Sequence, residues 1–129
     1  MTRSIRLLVV EDSEDDARLA LRALRRGGFG VSHRRVQDIQ SLLAAFRDEK
    51  WDAVLSDFSM PAFSGLDALC AFRTTGLDIP FIFVSGTIGE ETAVLAMKAG
   101  ASDYVMKNDM RRLAPALERE LAQAAIRAE

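Results

Sequence analysis

The sequence contains few of the residues that build disulfides and soft-metal sites. Its 129 residues include one cysteine, Cys70, and one histidine, His33. A single cysteine excludes an internal disulfide and is compatible with a reducing compartment. No apolar run approaches the roughly 20 residues of a membrane span, and the run 7–10 is too short for the core of a signal peptide. We therefore expect a cytoplasmic protein that does not bind membranes.

The chain also lacks an excess of positive charge. Its 17 Lys and Arg residues stand against 19 Asp and Glu residues, for a net charge of -2. This balance argues against direct nucleic-acid binding, which normally uses a clustered basic surface. The basic segments 22–26 and 33–35 are interpreted as solvated ends of a helix and a strand, with His33 at the surface. The length fits a single domain over residues 1–129.

Five short apolar runs alternate with five amphipathic segments. The runs predict strands at residues 5–10, 31–36, 53–56, 81–84 and 104–106. Ser13, Asp38, Ser64 and Thr87 each precede an amphipathic segment and are predicted N-caps, and glycines at 27–28 and 100 are predicted to end helices. Because Pro115 fits only the first turn of a helix, the last helix is expected to begin near Arg112.

Helical spacing of apolar residues predicts which side chains face the core. They are Ala17, Ala20, Leu21 and Leu24 in the first helix, Ile39, Leu42, Leu43 and Phe46 in the second, Leu66, Leu69, Cys70 and Phe72 or Phe63 in the third, Ala93, Val94 and Met97 in the fourth, and Leu113, Leu117, Leu121 and Ala124 or Ala125 in the fifth.

The order of these elements predicts an α/β fold. Five βα units in succession imply a parallel sheet with helices on both faces. Right-handed crossovers then favour an open, doubly wound (βα)5 sandwich. With five strands, we expect the flavodoxin-like order 2-1-3-4-5.

Polar residues follow four of the predicted strands. In a doubly wound sheet, ligands bind beyond the carboxyl ends of the strands, where the winding reverses between strands 1 and 3. Here the ends of strands 1, 3, 4 and 5 carry Glu11 and Asp12, Asp57, Ser85, and Lys107, respectively. We therefore expect three carboxylates, a hydroxyl and an amine to meet at one edge of the sheet.

Such a set of residues suits phosphoryl chemistry beside a cation. Crowded carboxylates raise one another's pKa unless a cation lies among them, and oxygen ligands favour Mg²⁺ or Mn²⁺ over zinc. A carboxylate can attack phosphorus to form an acyl phosphate. Lys107 would neutralise charge on the transferred group, and Ser85 would donate a hydrogen bond to it.

Each of these residues also has a simpler explanation when it is taken alone. Acidic residues after a strand often cap the next helix, which would suffice for Asp12. Lys107 could be a solvated loop lysine, and Ser85 alone is uninformative. Their joint placement at the ends of four strands is what favours one common site.

The motifs resemble those of a known family. The segments LVVEDSEDD (8–16), AVLSDFSMPAFSGLDAL (53–69), FIFVSGTIGEE (81–91) and KAGASDYVMK (98–107) resemble response-regulator receiver domains of two-component signalling systems, in particular chemotaxis-regulator-like receivers. The most specific piece is DFSMPAFSG (57–65), combined with the acidic pair and the final lysine. The resemblance covers essentially the whole chain. The family has the strand order 2-1-3-4-5, so our expectation of that order is not independent of the resemblance.

The resemblance implies roles for the acidic residues. Asp57 would accept the phosphoryl group. Asp12, Asp57 and the backbone carbonyl of Ser59 would bind Mg²⁺ directly, and Glu11 would act through water. A glutamate at position 11 departs from the commoner aspartate, which a water-mediated contact would tolerate.

The resemblance also implies a switch. Ser85 would close on the phosphoryl group as Tyr104 changes rotamer, while Lys107 would contact the phosphoryl oxygens. A histidine kinase or histidine phosphotransfer protein would be the donor. The output would pass to a partner protein or domain through the face of the fourth helix, fifth strand and fifth helix. The chain would promote only its own phosphorylation and dephosphorylation, so we expect a signalling switch and not an enzyme.

Two further positions affect these expectations. Asn108 stands where many receivers have proline, so the family's usual conformation of the loop after the fifth strand is not assumed for this chain. Ser59 and Thr87 would flank the path of an attacking water, and because both are small and polar we expect a short-lived phosphate. Their simpler explanation is that they are ordinary loop and cap residues.

Other functions would require different residues at the same positions. A toprim-like nuclease or a haloacid-dehalogenase-type phosphatase would need an Asp-x-Asp pair, whereas Asp57 is followed by Phe58 and Ser59. A pseudo-receiver that is never phosphorylated would not need the intact acidic set and Lys107. The segment 118–129 is strongly helix-forming and has no terminating glycine or proline. A stand-alone regulator and a continuation into another module both remain open.

Overall fold

The computed structural model describes residues 3–60, 63–86 and 90–128. Its elements, in chain order, are β1 (Arg3–Val10), α1 (Glu14–Arg26), β2 (Phe29–Val36), α2 (Ile39–Asp48), β3 (Ala53–Ser56), α3 (Gly65–Thr74), β4 (Phe81–Ser85), α4 (Glu90–Lys98), β5 (Asp103–Met106), a 3₁₀ turn (Lys107–Arg112) and α5 (Leu113–Ala128).

The five strands form one parallel sheet in the order β2-β1-β3-β4-β5. The predicted flavodoxin-like doubly wound fold is therefore confirmed. Val10 pairs with Val36 and with Ser56, so β1, β2 and β3 end at the same level. This register brings the residues that follow β1 and β3 side by side.

Helices cover both faces of the sheet and enclose two hydrophobic cores. Along β1, Leu7 and Val9 face a core built with α1 and α5, whereas Leu8 and Val10 face a core built with α2, α3 and α4. Strand residues alternate between faces, so a strand that is buried on both sides reads as a continuous apolar run. This explains why the run at residues 7–10 contains no polar residue.

Helix boundaries follow the predicted capping residues. The side chains of Ser13, Asp38 and Ser64 accept hydrogen bonds from the backbone N–H three residues on, as N-caps do. The predicted cap Thr87 lies outside the described residues. Gly28 and Gly100 have φ of 98° and 110°, in the left-handed region that favours glycine.

The last helix begins as the position of Pro115 predicted. α5 starts at Leu113, so Pro115 lies in its first turn, where no intrahelical N–H bond is lost. The preceding residues form the 3₁₀ turn, inside which Asp109 departs from helical geometry with φ -137° and ψ 54°. β2 is longer than predicted and starts at Phe29, which is buried under α1.

Four predictions of buried helix residues are wrong. Leu43 is 41% exposed, Val94 47% and Met97 41%, and Cys70 is exposed as well. The reason is the same in the three helices: an alanine that the apolar pattern omitted is buried, and the buried face is rotated away from the predicted one. These alanines are Ala45 in α2, Ala68 in α3 and Ala96 in α4. In α4, Ala93 and Ala96 make the contact with the core.

The remaining core predictions hold for the larger side chains. Fully buried leucines lie at predicted positions in α1, α2, α3 and α5, whereas the predicted Ile39, Phe46 and Leu66 are half-buried. The leucines are Leu24, Leu42, Leu69, Leu113 and Leu117. Within the parts of the chain that the structure describes, no helix combines the length and apolar character needed to cross a bilayer.

Gly65 lets α3 pack directly against the loop after β3. A Cβ at this position would lie 2.7 Å from the backbone oxygen of Asp57, the Cα of Phe58 and the Cε1 of Phe83. Contacts that short cannot be accommodated without displacing backbone. The start of α3 therefore holds the Asp57 loop in place.

Gly65→Ala should destabilise the protein by about 1–3 kcal/mol, because the added methyl overpacks a contact with backbone. Gly86→Ala is the matched control, since a Cβ there would meet no atom within 4 Å. Urea unfolding of both variants measures the difference. Equal free energies of unfolding would contradict the close packing of α3 on this loop.

Candidate phosphoryl and metal site

The candidate site lies at the carboxyl edge of the sheet. Glu11 and Asp57 follow β1 and β3, Ser85 is the last residue of β4, and Lys107 follows β5. Glu11, Asp57 and Ser85 are buried, whereas Asp12 is exposed at the rim. The structure thus brings the predicted polar strand ends to one place.

Backbone hydrogen bonds fix the two buried acidic residues. The N–H of Asp57 donates to the carbonyl of Val10 at 2.9 Å, and the N–H of Glu11 donates to the carbonyl of Val36 at 3.1 Å. These bonds extend the sheet by one residue beyond the strands. The positions of Glu11 and Asp57 are therefore set by the sheet and not by a free loop.

Three carboxylates form a cluster in this site. One oxygen from each of Glu11, Asp12 and Asp57 lies within 4.8 Å of the other two. Hard divalent cations with oxygen ligands suit this donor set, and no sulfur or imidazole belongs to the cluster. The residues of this cluster thus fit the Mg²⁺ or Mn²⁺ ion that the sequence predicted.

Lys107 neutralises part of this negative charge. Its ammonium donates to Asp16 at 2.7 Å, to Glu11 at 3.0 Å and to Asp57 at 3.3 Å. Burial alone would lower the pKa of Lys107, but the hydrogen bonds to Asp16 and Glu11 outweigh it and raise the pKa above its ordinary value. The ammonium therefore stays charged at any physiological pH.

Glu11 is a buried acid whose ionised form is disfavoured by its surroundings. Burial raises its pKa from 4.5 to about 7; the hydrogen bond from Lys107 opposes this shift, and the negative charge of Asp57 adds to it. Its Oε2 accepts from the N–H of Ser13 at 3.3 Å, and its backbone carbonyl accepts from Arg35 at 3.1 Å. A second positive charge near Glu11 would favour its ionised form.

Ser59 contacts Asp57, whereas Tyr104 packs against the core. The N–H of Ser59 donates to Asp57 Oδ1 at 3.3 Å, and Ser59 itself is exposed. Tyr104 is half-buried and packs against the core under α2, α3 and α4. Thr87, expected beside the path of water, lies outside the described residues.

Asp16 is a site residue that the sequence reasoning missed. In the sequence it stands three residues after the predicted N-cap Ser13, where an acidic residue can complete a capping box. Its N–H does donate to the Ser13 hydroxyl at 3.2 Å, but its carboxylate contacts Lys107 instead of closing the box. The spacing of Ser13 and Asp16 does not show whether the Asp16 carboxylate closes the capping box or contacts a lysine, because that lysine is 91 residues away in the sequence.

The cavity at the site is small, and a larger one lies elsewhere on the described part of the chain. The space enclosed beside Glu11, Asp16 and Asp57 measures about 10 Å³, roughly that of one water. A cavity of about 750 Å³ runs between α1 and the edge strand β2 and is lined by several arginines, including Arg22 and Arg35. We assign the chemistry to the small site, because the carboxylates and Lys107 are there and a charged ligand can bind at its open side.

Comparison with known proteins gives a consistent result. Residues 7–118 match the family described as "Response regulator receiver domain". The chain is 33% identical over 104 residues to the transcriptional regulatory protein PrrA of Mycobacterium tuberculosis, covering 81% of this chain and 44% of that protein. It is 34% identical over 119 residues to the transcriptional regulatory protein ZraR of Salmonella typhimurium, covering 92% and 26%.

A solved structure agrees with these sequence relatives. NtrX from Brucella abortus superposes with a TM-score of 0.84 at 29% identity, covering 97% of this chain and 29% of that one. The chain spans less than half the length of the curated relatives named above. Since the family match extends over most of the sequence and the sheet order agrees with the fold, the chain belongs to the response-regulator receiver domains of two-component systems.

Proposed function

We propose that this chain accepts a phosphoryl group on Asp57, with Mg²⁺ bound beside it, in a two-component phosphorelay. The observation that carries the proposal is the position of Lys107, whose ammonium lies 3.3 Å from Asp57 Oδ2 at the rim of the carboxylate cluster. A nucleophilic carboxylate, a fixed positive charge and a set of cation ligands are what transfer to an aspartate requires.

The donor is a histidine kinase or a histidine phosphotransfer protein. An oxygen of Asp57 forms a bond to phosphorus as the bond between phosphorus and the donor's imidazole nitrogen breaks, and the imidazole leaves as the neutral group after taking up a proton. Lys107 binds the oxygens of the transferred group, and Ser85 donates a hydrogen bond to one of them. Fixed charges at these positions stabilise the transition state without reorganising.

Asp12, Asp57 and the backbone carbonyl of Ser59 would hold the Mg²⁺ ion directly, and Glu11 would hold it through water. Mn²⁺ would fit the same oxygen ligands. When bound, the cation neutralises charge on the carboxylates and on the phosphoryl oxygens.

The chain acts as a cytoplasmic switch whose output is a protein contact. Tyr104 and Ser85 connect the site to the face formed by α4, β5 and α5. On α4, Val94, Leu95 and Met97 are exposed apolar side chains that a partner protein or domain would cover. Residues 1–129 form one receiver domain, and α5 either ends the regulator or leads into another module.

Asp57→Asn should abolish phosphorylation, because an amide is a poor nucleophile. The measurement is the intact mass after incubation with acetyl phosphate and Mg²⁺. Asp48→Asn is the matched control, since Asp48 is an exposed aspartate on α2 that pairs with Arg47. Equal gain of a phosphoryl mass by Asp57→Asn and the wild type would refute the assignment, and a wild type that gains none would indicate a pseudo-receiver.

The metal-free protein should lose stability as pH rises between about 4.5 and 7. Folding raises the pKa of Glu11 from 4.5 to about 7, so in this range the folded state retains a proton that the unfolded state releases. The Glu11 contribution is complete below pH 4.5 and is lost as pH rises through 7. It amounts to at most about 3 kcal/mol.

Urea unfolding at pH 5 and pH 8 measures this effect, and Glu11→Gln should lack it. At pH 8, Mg²⁺ should stabilise the wild type. Asp12→Ala should remove most of the gain, and Glu11→Gln should remove less. Equal losses in the two variants would contradict the direct and water-mediated roles.

Beryllofluoride, a phosphoryl mimic, should shift backbone amide resonances mainly between Ser85 and Leu113. The mimic favours one of two arrangements of Ser85 and Tyr104 through its contacts, and those residues border α4, β5 and the 3₁₀ turn. α2 (Ile39–Asp48) is the internal reference, since it is not part of the proposed output face. Shifts confined to the loops around Glu11 and Asp57 would argue against this face.

A further inference from the structure

Asp16 makes the shortest contact with the ammonium of Lys107. The Asp16 oxygen lies 2.7 Å from Nζ, compared with 3.0 Å for Glu11 and 3.3 Å for Asp57. An ammonium group has three N–H donors, so these three carboxylates account for all of them. The Asp16 side chain is 35% exposed and that of Lys107 is 16% exposed, so the contact lies at the mouth of the site.

Asp16 differs from the other two partners of Lys107 in its relation to the cation. Among the described residues, the carboxylates close enough to share an ion are Glu11, Asp12 and Asp57, and Asp16 does not belong to that cluster. A bound cation would interact with Asp57 directly and with Glu11 through water, and would thereby weaken the contacts of both carboxylates with Lys107. It would not compete for Asp16, whose contact with Lys107 therefore persists in the loaded site.

The start of α3 shows what Asp16 would do without Lys107. There, Asp67 holds the same position relative to its N-cap, Ser64, and its carboxylate accepts from the N–H of Ser64 at 3.1 Å. In α1, the corresponding N–H of Ser13 donates to Glu11 at 3.3 Å, and the Asp16 carboxylate is turned to Lys107. The aspartate three residues after the N-cap thus completes a helix cap in α3 and contacts the site residue Lys107 in α1.

We propose that Asp16 is a positioning residue for phosphorylation and acts by anchoring Lys107. With one N–H held by Asp16, the other two, released by Glu11 and Asp57 when the cation binds, can meet the incoming phosphoryl oxygens. The anchored ammonium does not need to reorganise during transfer. This inference rests on the proposed function, because it takes Asp57 as the phosphoryl acceptor.

The test is Asp16→Asn, which removes the charge and keeps the size of the side chain. The rate of phosphoryl gain from acetyl phosphate and Mg²⁺ should fall about tenfold. The affinity for beryllofluoride in the presence of Mg²⁺ should fall by a similar factor, and Asp16→Glu should restore part of both. Asp67→Asn removes the matching residue of α3 and should change neither quantity.

A double-mutant cycle with Lys107→Met separates positioning from a structural effect on α1. If Asp16 acts through Lys107, Asp16→Asn should cause no further loss of beryllofluoride affinity in the Lys107→Met background. A full tenfold loss in that background would overturn the inference, as would wild-type behaviour of Asp16→Asn alone. A wild type that gains no phosphoryl mass would overturn the proposed function and this inference with it, whereas equal labelling of wild type and Asp16→Asn overturns only the inference.

Discussion

The ammonium of Lys107 joins three carboxylates that come from different segments of the chain. Glu11 follows β1, Asp16 lies in the first turn of α1 and Asp57 follows β3, and each would repel the others if left without a counter-charge. A buried charge is tolerated only when it is paired and hydrogen-bonded. The rest of the architecture serves this requirement, since the parallel arrangement brings the carboxyl ends of β1, β3 and β5 to the same edge of the sheet.

The elements that follow from local chemistry could be predicted from the sequence. Ser13, Asp38 and Ser64 cap helices because their side chains bond the backbone three residues on, which involves no distant part of the chain. The strands were predictable because residues buried on both faces must be apolar. The strand order owed part of its support to the family resemblance, and the convergence of Glu11, Asp12 and Asp57 followed from that order.

The errors concern properties that depend on packing between elements. Whether Cys70 or Ala68 faces the core is decided by how α3 is rotated about its axis against the sheet, and periodicity alone does not fix this rotation. The role of Asp16 was missed for a similar reason. A carboxylate in a capping position has two competing partners, and the winning one is known only when the fold brings Lys107 to it. In both cases the outcome depends on packing between distant segments of the chain and not on local helix propensity.

The use of alanines where α4 meets the core has a consequence for how the molecule opens. Ala93 and Ala96 bury little apolar surface, at about 0.8 kcal/mol per methyl-sized group, so detaching this helix costs less than detaching one anchored by leucines such as α1. Val94, Leu95 and Met97 are exposed in the isolated domain, so their apolar surface does not stabilise the attachment of α4. A protein that covered them would therefore supply much of the cohesion of α4, and folding of this segment and recognition by that protein would be thermodynamically linked.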